Sequence, residues 1–220
     1  MQKSDETRLK ILTAALALFR TQGFDKSTMR EVAQRAGVAT GAAYYYFDSK
    51  EALVLAFYEQ AAEELGPLAR KAAEQEKGLA AKLREVILAK IQYFSENRDI
   101  LRAMLRIGAD PKHPLSPFSR QTKVIRDEDV QLFAQLIKSS GIKVPKDMAP
   151  FVPDALWMYQ MGIIYFWLTD ESEGQSRTRR LVDLSATTVA GLLKIASFPL
   201  ARPVRKPVVE LMQLLIEKNP

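Results

Sequence analysis

An all-α fold is predicted by two observations on the sequence. Apolar residues recur at helical spacing through most of the 220 residues, and no convincing run of alternating strand residues appears. Breaks between the helical patterns carry glycine or proline, at Gly66-Pro67, from Pro111 to Pro117, from Gly141 to Pro153 and around Gly174. With 47% hydrophobic residues, the chain can bury a full core in one large or two modest domains.

The first predicted helix covers about residues 5 to 22. Ser4, followed by two acidic residues, is a suitable helix start, and Gly23 ends an apolar stripe at helical spacing. A signal peptide is the competing interpretation, since the apolar run follows basic residues. Acidic residues precede that run, however, and no small-residue cleavage site follows it. We therefore expect a helix that supplies the core behind the next two.

Residues 28–53 combine two short helical patterns, a turn at Gly37 and the start of a third helix. Thr28 and Glu31 have the spacing of a capping box, which starts the first of these helices near Met29. Gly37 stands where a left-handed residue ends that helix, and the next pattern begins at Thr40. This layout is typical of a helix-turn-helix, for which DNA is the first partner to consider.

Residues 5 to about 60 resemble the DNA-binding domain of the TetR family of bacterial transcriptional regulators. The resemblance rests on the series Thr-x-x-x-Val-Ala-x-x-Ala-Gly-Val-x-x-Gly-x-x-Tyr-Tyr-x-Phe-x-x-Lys-Glu-x-Leu, which begins at Thr28. It implies an N-terminal three-helix helix-turn-helix domain in residues 1–48 and a connecting helix at 49–65. Residues 66–220 would then form a larger helical domain for effector binding and dimerisation.

The resemblance also implies which residues meet double-stranded operator DNA. Thr28 would cap its helix near a phosphate, Arg30 would reach a guanine edge or a phosphate, and Lys50 matches a phosphate-binding lysine of the family. The remaining expected contacts are made by Thr40, Gly41 and Ala42 near the base edges, and by Tyr44 and Tyr45 at phosphates or a thymine methyl group.

Charge and side-chain type limit how this domain can read DNA. Residues 1–60 contain eight Lys or Arg and seven Asp or Glu, so the net charge of this part of the chain is only about +1. Ala39 and Ala42 stand where relatives often have polar side chains, and Tyr46 stands where histidine is frequent. We therefore expect specificity to come less from many polar base contacts than from Arg30, DNA shape and half-site spacing.

The later helices predict a homodimer. Residues 157–168 are apolar nearly all round, which a surface helix of a monomer would not tolerate. In TetR-like proteins the last two large helices form a four-helix interface between subunits, and a dimer reads two half-sites of a near-palindromic operator. The expected interface residues are Trp157, Ile164, Leu168, Leu181, Leu184, Thr188 and Leu192. The alternative is that both helices pack only within one subunit.

TetR-like regulators usually bind a small molecule in the second domain, which here implies an unknown apolar or amphipathic effector that releases a repressor from its operator. Its pocket could be lined by Phe94, Leu101, Met104, Phe118, Phe133, Trp157, Met161 and Tyr165, although ordinary core packing explains the same spacing. Two alternatives stay open: a transcriptional activator with no small-molecule inducer, and an all-helical dimeric interaction protein.

Other functional classes receive little support. The chain has no cysteine, and its one histidine, His113, lies in a segment of loop composition near Asp110. We therefore expect no enzyme activity, no metal and no cofactor. The longest apolar run, residues 155–168, is too short to span a bilayer, so we expect a cytoplasmic protein without a membrane partner. A tail helix near 205–218 is expected to pack on its own subunit or on the second one.

Overall fold

The computed structural model describes residues 2–108 and 110–216. Those residues form α-helices, short 3₁₀ turns and loops, without a β-strand among them, so the predicted all-α class is confirmed. The helices are α1 Gln2–Gln22, α2 Met29–Ala36, α3 Thr40–Tyr46, α4 Lys50–Glu74, α5 Leu79–Phe94, α6 Arg98–Ile107, α7 Lys123–Ser139, α8 Val152–Thr169, α9 Ser176–Ala196 and α10 Arg202–Ile216. The 3₁₀ turns are Ser95–Asn97, Glu173–Gln175 and Pro199–Ala201.

Internal contacts divide the chain into two units. The first combines Met1–Glu63 with Phe94–Ile125, and the second combines Glu64–Tyr93 with Arg126–Pro220. This grouping differs from the predicted division at residue 66, because α6 and the segment after it join the N-terminal unit. The physical reason is burial: Ile100, Met104 and Leu115 belong to the same apolar core as the helix-turn-helix.

The core of the first unit forms where α1 packs against α2, α3 and the start of α4. Ile11 and Phe19 of α1 are buried together with Val32 of α2 and Ala43 of α3. Phe57 of α4 contacts Phe94 edge-on, with ring centroids 5.8 Å apart. Phe19 and Phe24 also pack edge-on, with ring centroids 5.2 Å apart. The packing sets the direction in which α3 presents its opposite face.

α4 is longer than predicted. The sequence placed its end near residue 65, at Gly66-Pro67, but the helix continues to Glu74 with Pro67 inside it. A proline in a helix interior costs about 3 kcal/mol, because it removes one backbone hydrogen bond and crowds the preceding turn. Leu65, Ala69 and Ala73 are buried along one face on both sides of Pro67, and this burial offsets that cost.

The start of α7 is set by the segment that precedes it. The structure has hydrogen-bonded turns up to Thr122 and starts the helix at Lys123. The Thr122 hydroxyl donates to the Ser116 carbonyl at 2.7 Å, and the Ser119 hydroxyl donates to the Pro114 carbonyl at 2.9 Å. Such side-chain to backbone bonds compete with helix formation.

The second unit contains α5, α7, α8, α9 and α10. Phe133, Leu156 and Trp157 are buried in its main core, and Trp167 of α8 donates its indole N–H to the Gln175 side chain at 2.7 Å. The tail helix predicted at 205–218 is observed as α10, and residues 217 and 218 lie outside the described residues.

Within the described residues no single helix is long and apolar enough to cross a membrane; by length and composition alone, the pair Glu173–Ala196 and Pro199–Leu214 meets the requirement together, but it is bent by 97°. The described residues contain no group of three or more His, Asp or Glu side chains that could hold a metal ion.

Candidate nucleic-acid interface

A complete capping box begins α2. The Glu31 backbone N–H donates to the Thr28 hydroxyl oxygen at 3.2 Å, and the Thr28 backbone N–H donates to the Glu31 carboxylate at 2.8 Å. Gln22 of α1 donates a further hydrogen bond to the same carboxylate oxygen at 3.3 Å. Hydrogen bonds within the first turn and one from α1 therefore hold the start of α2. As in any α-helix, the first backbone N–H groups have no acceptor within the helix itself.

Glu31 is expected to make the stability of this helix start depend on pH. Hydrogen bonds from the Thr28 side chain and backbone hold the pKa of Glu31 below its ordinary value of 4.5. Because folding lowers this pKa, the carboxylate stabilises the folded state above pH 4.5 and loses that contribution as the pH falls below it. We expect the difference in unfolding free energy between wild type and Glu31→Ala, measured by urea titration, to shrink in acid. An equal difference at neutral and acidic pH would mean that the charge contributes nothing.

Gly37 makes the turn between α2 and α3. Its φ of 69° and ψ of 33° are left-handed, a conformation that side chains with a Cβ rarely adopt, and its N–H donates back to the α2 carbonyls of Ala33 and Gln34. The next N–H, of Val38, donates to the Ala33 carbonyl at 3.0 Å. These bonds end α2 sharply and bring α3 directly after it.

α3 has one buried face and one exposed face. Ala43 and Phe47 point into the core of the first unit, whereas Thr40 and Gly41 are exposed and Tyr45 keeps 84% of its surface. Tyr44 is also more than half exposed. The exposed face of α3 thus carries small residues at its start and two tyrosines after them, without a charged side chain.

The predicted DNA contacts are distributed as follows. Thr28 and Arg30 are exposed at the start of α2, Ala42 is half-buried, and Tyr46 is half-buried against the ring of Tyr45, with centroids 5.2 Å apart. Tyr46 therefore has less free surface than its neighbours on α3. Of the two tyrosines predicted to contact DNA, Tyr45 exposes more of its surface than Tyr44.

Lys50 has an internal role that the sequence did not indicate. Its ammonium donates to the carbonyls of Phe24 at 2.7 Å and Asp25 at 3.3 Å, and it lies 4.5 Å from the centre of the Phe24 ring. These contacts tie the start of α4 to the loop that precedes Thr28. An ammonium has three donors, so one remains for a further acceptor.

The expected pocket residues do not form one cluster. Phe94, Leu101 and Met104 pack in or against the core of the first unit, whereas Phe133 and Trp157 lie in the core of the second and Met161 packs against it. Phe118 and Tyr165 are more than half exposed, and none of the eight residues lines the groove that the second unit contains.

The residues expected at the subunit interface differ in exposure. Trp157 is 5% exposed and Leu168 is 2% exposed, so neither has surface left for a second subunit. Ile164 and Leu181 are half-buried, whereas Leu184, Thr188 and Leu192 remain exposed along α9. The physical reason is that α8 is covered by its own unit on more sides than its composition could specify. Tyr165, predicted as a pocket residue, and Ile195 of α9 are also exposed.

A capped α2, a tight glycine turn and an α3 with an exposed face define a helix-turn-helix protein, in which such a second helix serves to read DNA. The chain belongs to the TetR family of bacterial transcriptional regulators. The family profile described as "Bacterial regulatory proteins, tetR family" matches residues 11–57, and the one described as "Tetracyclin repressor-like, C-terminal domain" matches residues 82–212.

Curated relatives agree with this assignment. The chain is 39% identical to the regulator AcrR of Shigella flexneri over 67 residues, which is 30% of this chain and 31% of AcrR. It is 33% identical to the regulator TtgR of Pseudomonas putida over 96 residues, 43% of this chain and 44% of TtgR. These matches span less than half the length of either relative.

Solved structures show the same fold. A TetR regulator from Nitrosomonas europaea superposes with a TM-score of 0.63 at 18% identity, covering 84% of this chain and 98% of that one. FadR of Thermus thermophilus, a repressor solved in complex with lauroyl-CoA, superposes with a TM-score of 0.54 at 23% identity over 80% and 92% of the two chains.

Proposed function

We propose that this transcriptional regulator acts as a homodimeric repressor of near-palindromic operators and that a small effector releases it from DNA. The observation that carries the DNA-binding part is the exposed face of α3, opposite Ala43 and Phe47 in the core. Its first residues, Thr40 and Gly41, have no bulky side chain, so the helix can approach base edges closely in the major groove.

The surrounding groups support the same docking. The start of α2 presents the positive end of a helix dipole to a phosphate, beside the exposed Thr28 and Arg30. Tyr44 and Tyr45 can donate hydroxyl groups to phosphates or contact a thymine methyl group with their rings. The remaining donor of Lys50 can bind a phosphate next to the loop that it anchors.

Arg30 is proposed to read a base, and a matched arginine tests this. Arg30→Ala should lower affinity for the preferred site by about 1–3 kcal/mol and relax the preference at one base pair. Arg35→Ala removes the same charge from the other end of α2, where Arg35 is exposed, and should leave base preference unchanged. Competition binding to operator duplexes with single base-pair changes measures both variants. Equal effects of the two substitutions would contradict this docking.

The same assay tests Lys50, with a stability measurement beside it. Lys50→Met keeps an unbranched apolar side chain and removes the ammonium that lies over Phe24, so it should weaken all DNA sequences alike and reduce the slope of log affinity against log salt by about one. Urea unfolding reports how much the lost bonds to Phe24 and Asp25 destabilise the first unit. Lower stability with an unchanged salt slope would assign Lys50 to loop anchoring alone.

The effector part of the proposal rests on family membership and on α4. That helix starts at Lys50, directly after the helix-turn-helix, and reaches Ala69 and Ala73 in the core of the second unit. A ligand that rearranges that core can therefore act on DNA binding through α4. The complex of Thermus thermophilus FadR with lauroyl-CoA favours an amphipathic effector.

A further inference from the structure

A groove in the second unit lies between the first half of α8, the end of α9, α10 and the Pro199–Ala201 turn. Its volume is about 660 Å³, within the roughly 300–1,000 Å³ of small-molecule sites. Leu156 and Leu193 line the groove and are 3% and 7% exposed, so the groove reaches the core. Leu192 and Leu200, which also line it, keep more than half of their surface. The groove therefore extends from the surface of the second unit to its core.

Few polar side chains line the groove. Among the described lining residues, Tyr159 and Arg205 alone have a hydroxyl group or a charge. The Tyr159 hydroxyl oxygen lies 2.7 Å from the Ser185 hydroxyl oxygen. The Arg205 guanidinium donates to the Asp147 carboxylate at 2.8 Å and to the Ala196 carbonyl at 2.9 Å. An ionic ligand would therefore lose its hydration without meeting an uncompensated opposite charge.

The form of the lining favours a small molecule as the occupant. Met148 and Met212 line the groove, and unbranched methionine side chains adapt to ligands of different outline. Three helices and one turn supply the walls, so a small molecule has contacts on several sides. An anionic lipid surface would instead need basic side chains that are free to meet head groups, and Arg205 is already paired.

We propose that this groove binds a neutral, apolar small molecule and that this molecule is the effector. The inference names the place and the chemical class of the effector, so it rests on the proposed function. Leu156 and Leu193 belong to the same apolar core as Ala69 and Ala73 of α4. A molecule that fills the groove therefore contacts the core on which the end of α4 packs. By binding one arrangement of this core better than another, it shifts the position of that helix.

Three probes with the same alkyl chain test the chemical class. Decan-1-ol, decanoate and decylammonium differ in charge, and isothermal titration calorimetry measures their affinities below the concentrations at which they aggregate. The wild type should bind decan-1-ol at least about tenfold more tightly than either ion, because an ion gains no free counter-charge in the groove. An ion that binds as tightly as decan-1-ol, or an absence of decan-1-ol binding, overturns the inference.

A bulky side chain in the groove tests the place. Ala155 is half-buried in the groove lining, so Ala155→Trp should occupy the groove and weaken decan-1-ol binding about tenfold or more. Leu68→Trp, at an exposed position of α4, is the matched control and should leave binding unchanged. Circular dichroism shows whether each variant folds. A folded Ala155→Trp protein that binds decan-1-ol like the wild type overturns the inference.

An aspartate variant tests the place without a bulky side chain. Asp147→Ala removes the charge partner of Arg205, so decanoate should gain about fivefold or more in affinity relative to decan-1-ol. Asp183→Ala removes the partner of Arg84, which is joined to it at 2.6 Å outside the groove, and should leave the ratio unchanged. Equal ratios in the two variants overturn the inference.

Two other occupants would give different results. A second copy in the groove would make Ala155→Trp raise the dimer dissociation constant in sedimentation equilibrium. A membrane surface would make the same variant lose binding to phosphatidylglycerol vesicles. Either result, without decan-1-ol binding by the wild type, overturns the inference.

Operator binding separates this inference from the proposed function. Decan-1-ol should lower the operator affinity of the wild type about fivefold or more and leave that of Ala155→Trp unchanged. Equal release of both proteins keeps the proposed release by an effector and overturns the groove as its site. Unchanged operator affinity with decan-1-ol bound to the wild type also overturns the inference. A wild type that binds no operator sequence contradicts the proposed function instead, and the calorimetry of Ala155→Trp then decides the groove alone.

Discussion

Asp129→Ala is expected to lower the free energy of unfolding by about 3 kcal/mol, because it leaves the Lys90 ammonium buried without its charge partner. Lys90 Nζ lies 2.5 Å from Asp129 Oδ1, and the Lys90 side chain is only 6% exposed. Asp129 also accepts a hydrogen bond from the buried Gln160 amide at 3.1 Å. Its own side chain is 26% exposed, which places the expected loss near the lower end of the range of about 3–5 kcal/mol for a broken buried pair.

An exposed ion pair provides the control for the Asp129→Ala substitution. Arg84 and Asp183 are joined at 2.6 Å, but each side chain is 48% exposed, so Asp183→Ala should cost less than about 1 kcal/mol. Replacing the whole buried group, with Lys90→Met, Asp129→Leu and Gln160→Leu together, should recover most of the loss, because none of these three positions then carries a polar group that lacks its partner. Urea unfolding measures all three proteins. Equal losses for Asp129→Ala and Asp183→Ala would show that water reaches Lys90.

Inserting five base pairs between the halves of the operator is expected to reduce affinity about 100-fold or more. B-DNA turns once in about 10.5 base pairs, so this insertion moves one half-site to the opposite side of the duplex. A homodimer with two exposed α3 faces can then contact one half-site only. The operator is first recovered by selection from random duplexes, and the affinity is measured by competition at a fixed salt concentration.

Changing the sequence of the central base pairs without changing their number controls for lost contacts. This change should have a much smaller effect than the insertion, because it keeps both half-sites on the same side of the DNA. Unchanged affinity after the five-pair insertion would mean that each copy binds its half-site independently. That result would contradict the proposed homodimeric repressor.

The sequence was most informative where structure is decided by near neighbours. α2 was expected to start near Met29 and does so, because Thr28 and Glu31 satisfy each other within one turn. Gly37 was expected to end it and has the left-handed φ that the turn requires. α3 was expected to begin at Thr40 and does so.

The sequence was less informative where the outcome depends on distant packing. Gly66 and Pro67 predicted the end of a helix. α4 continues past them because Ala69 and Ala73 are buried in a core that remote segments of the chain complete. Trp157 and Leu168 had the composition of an interface, but their own unit covers them. Apolar residues at helical spacing are compatible with a core, a pocket or an interface, so the periodicity alone does not distinguish these three environments.

The sequence by itself therefore determined the helical class, the helix-turn-helix and its exposed reading face, and through its motif the TetR resemblance. Caps, turns and amphipathic spacing act over a few residues, so the chain carries them locally. Tertiary structure alone decided that Lys50 anchors the loop before Thr28, that α6 joins the first unit and that an apolar groove forms between α8, α9 and α10. Those outcomes depend on which helices meet, and burial is a property of the packed chain rather than of any single segment.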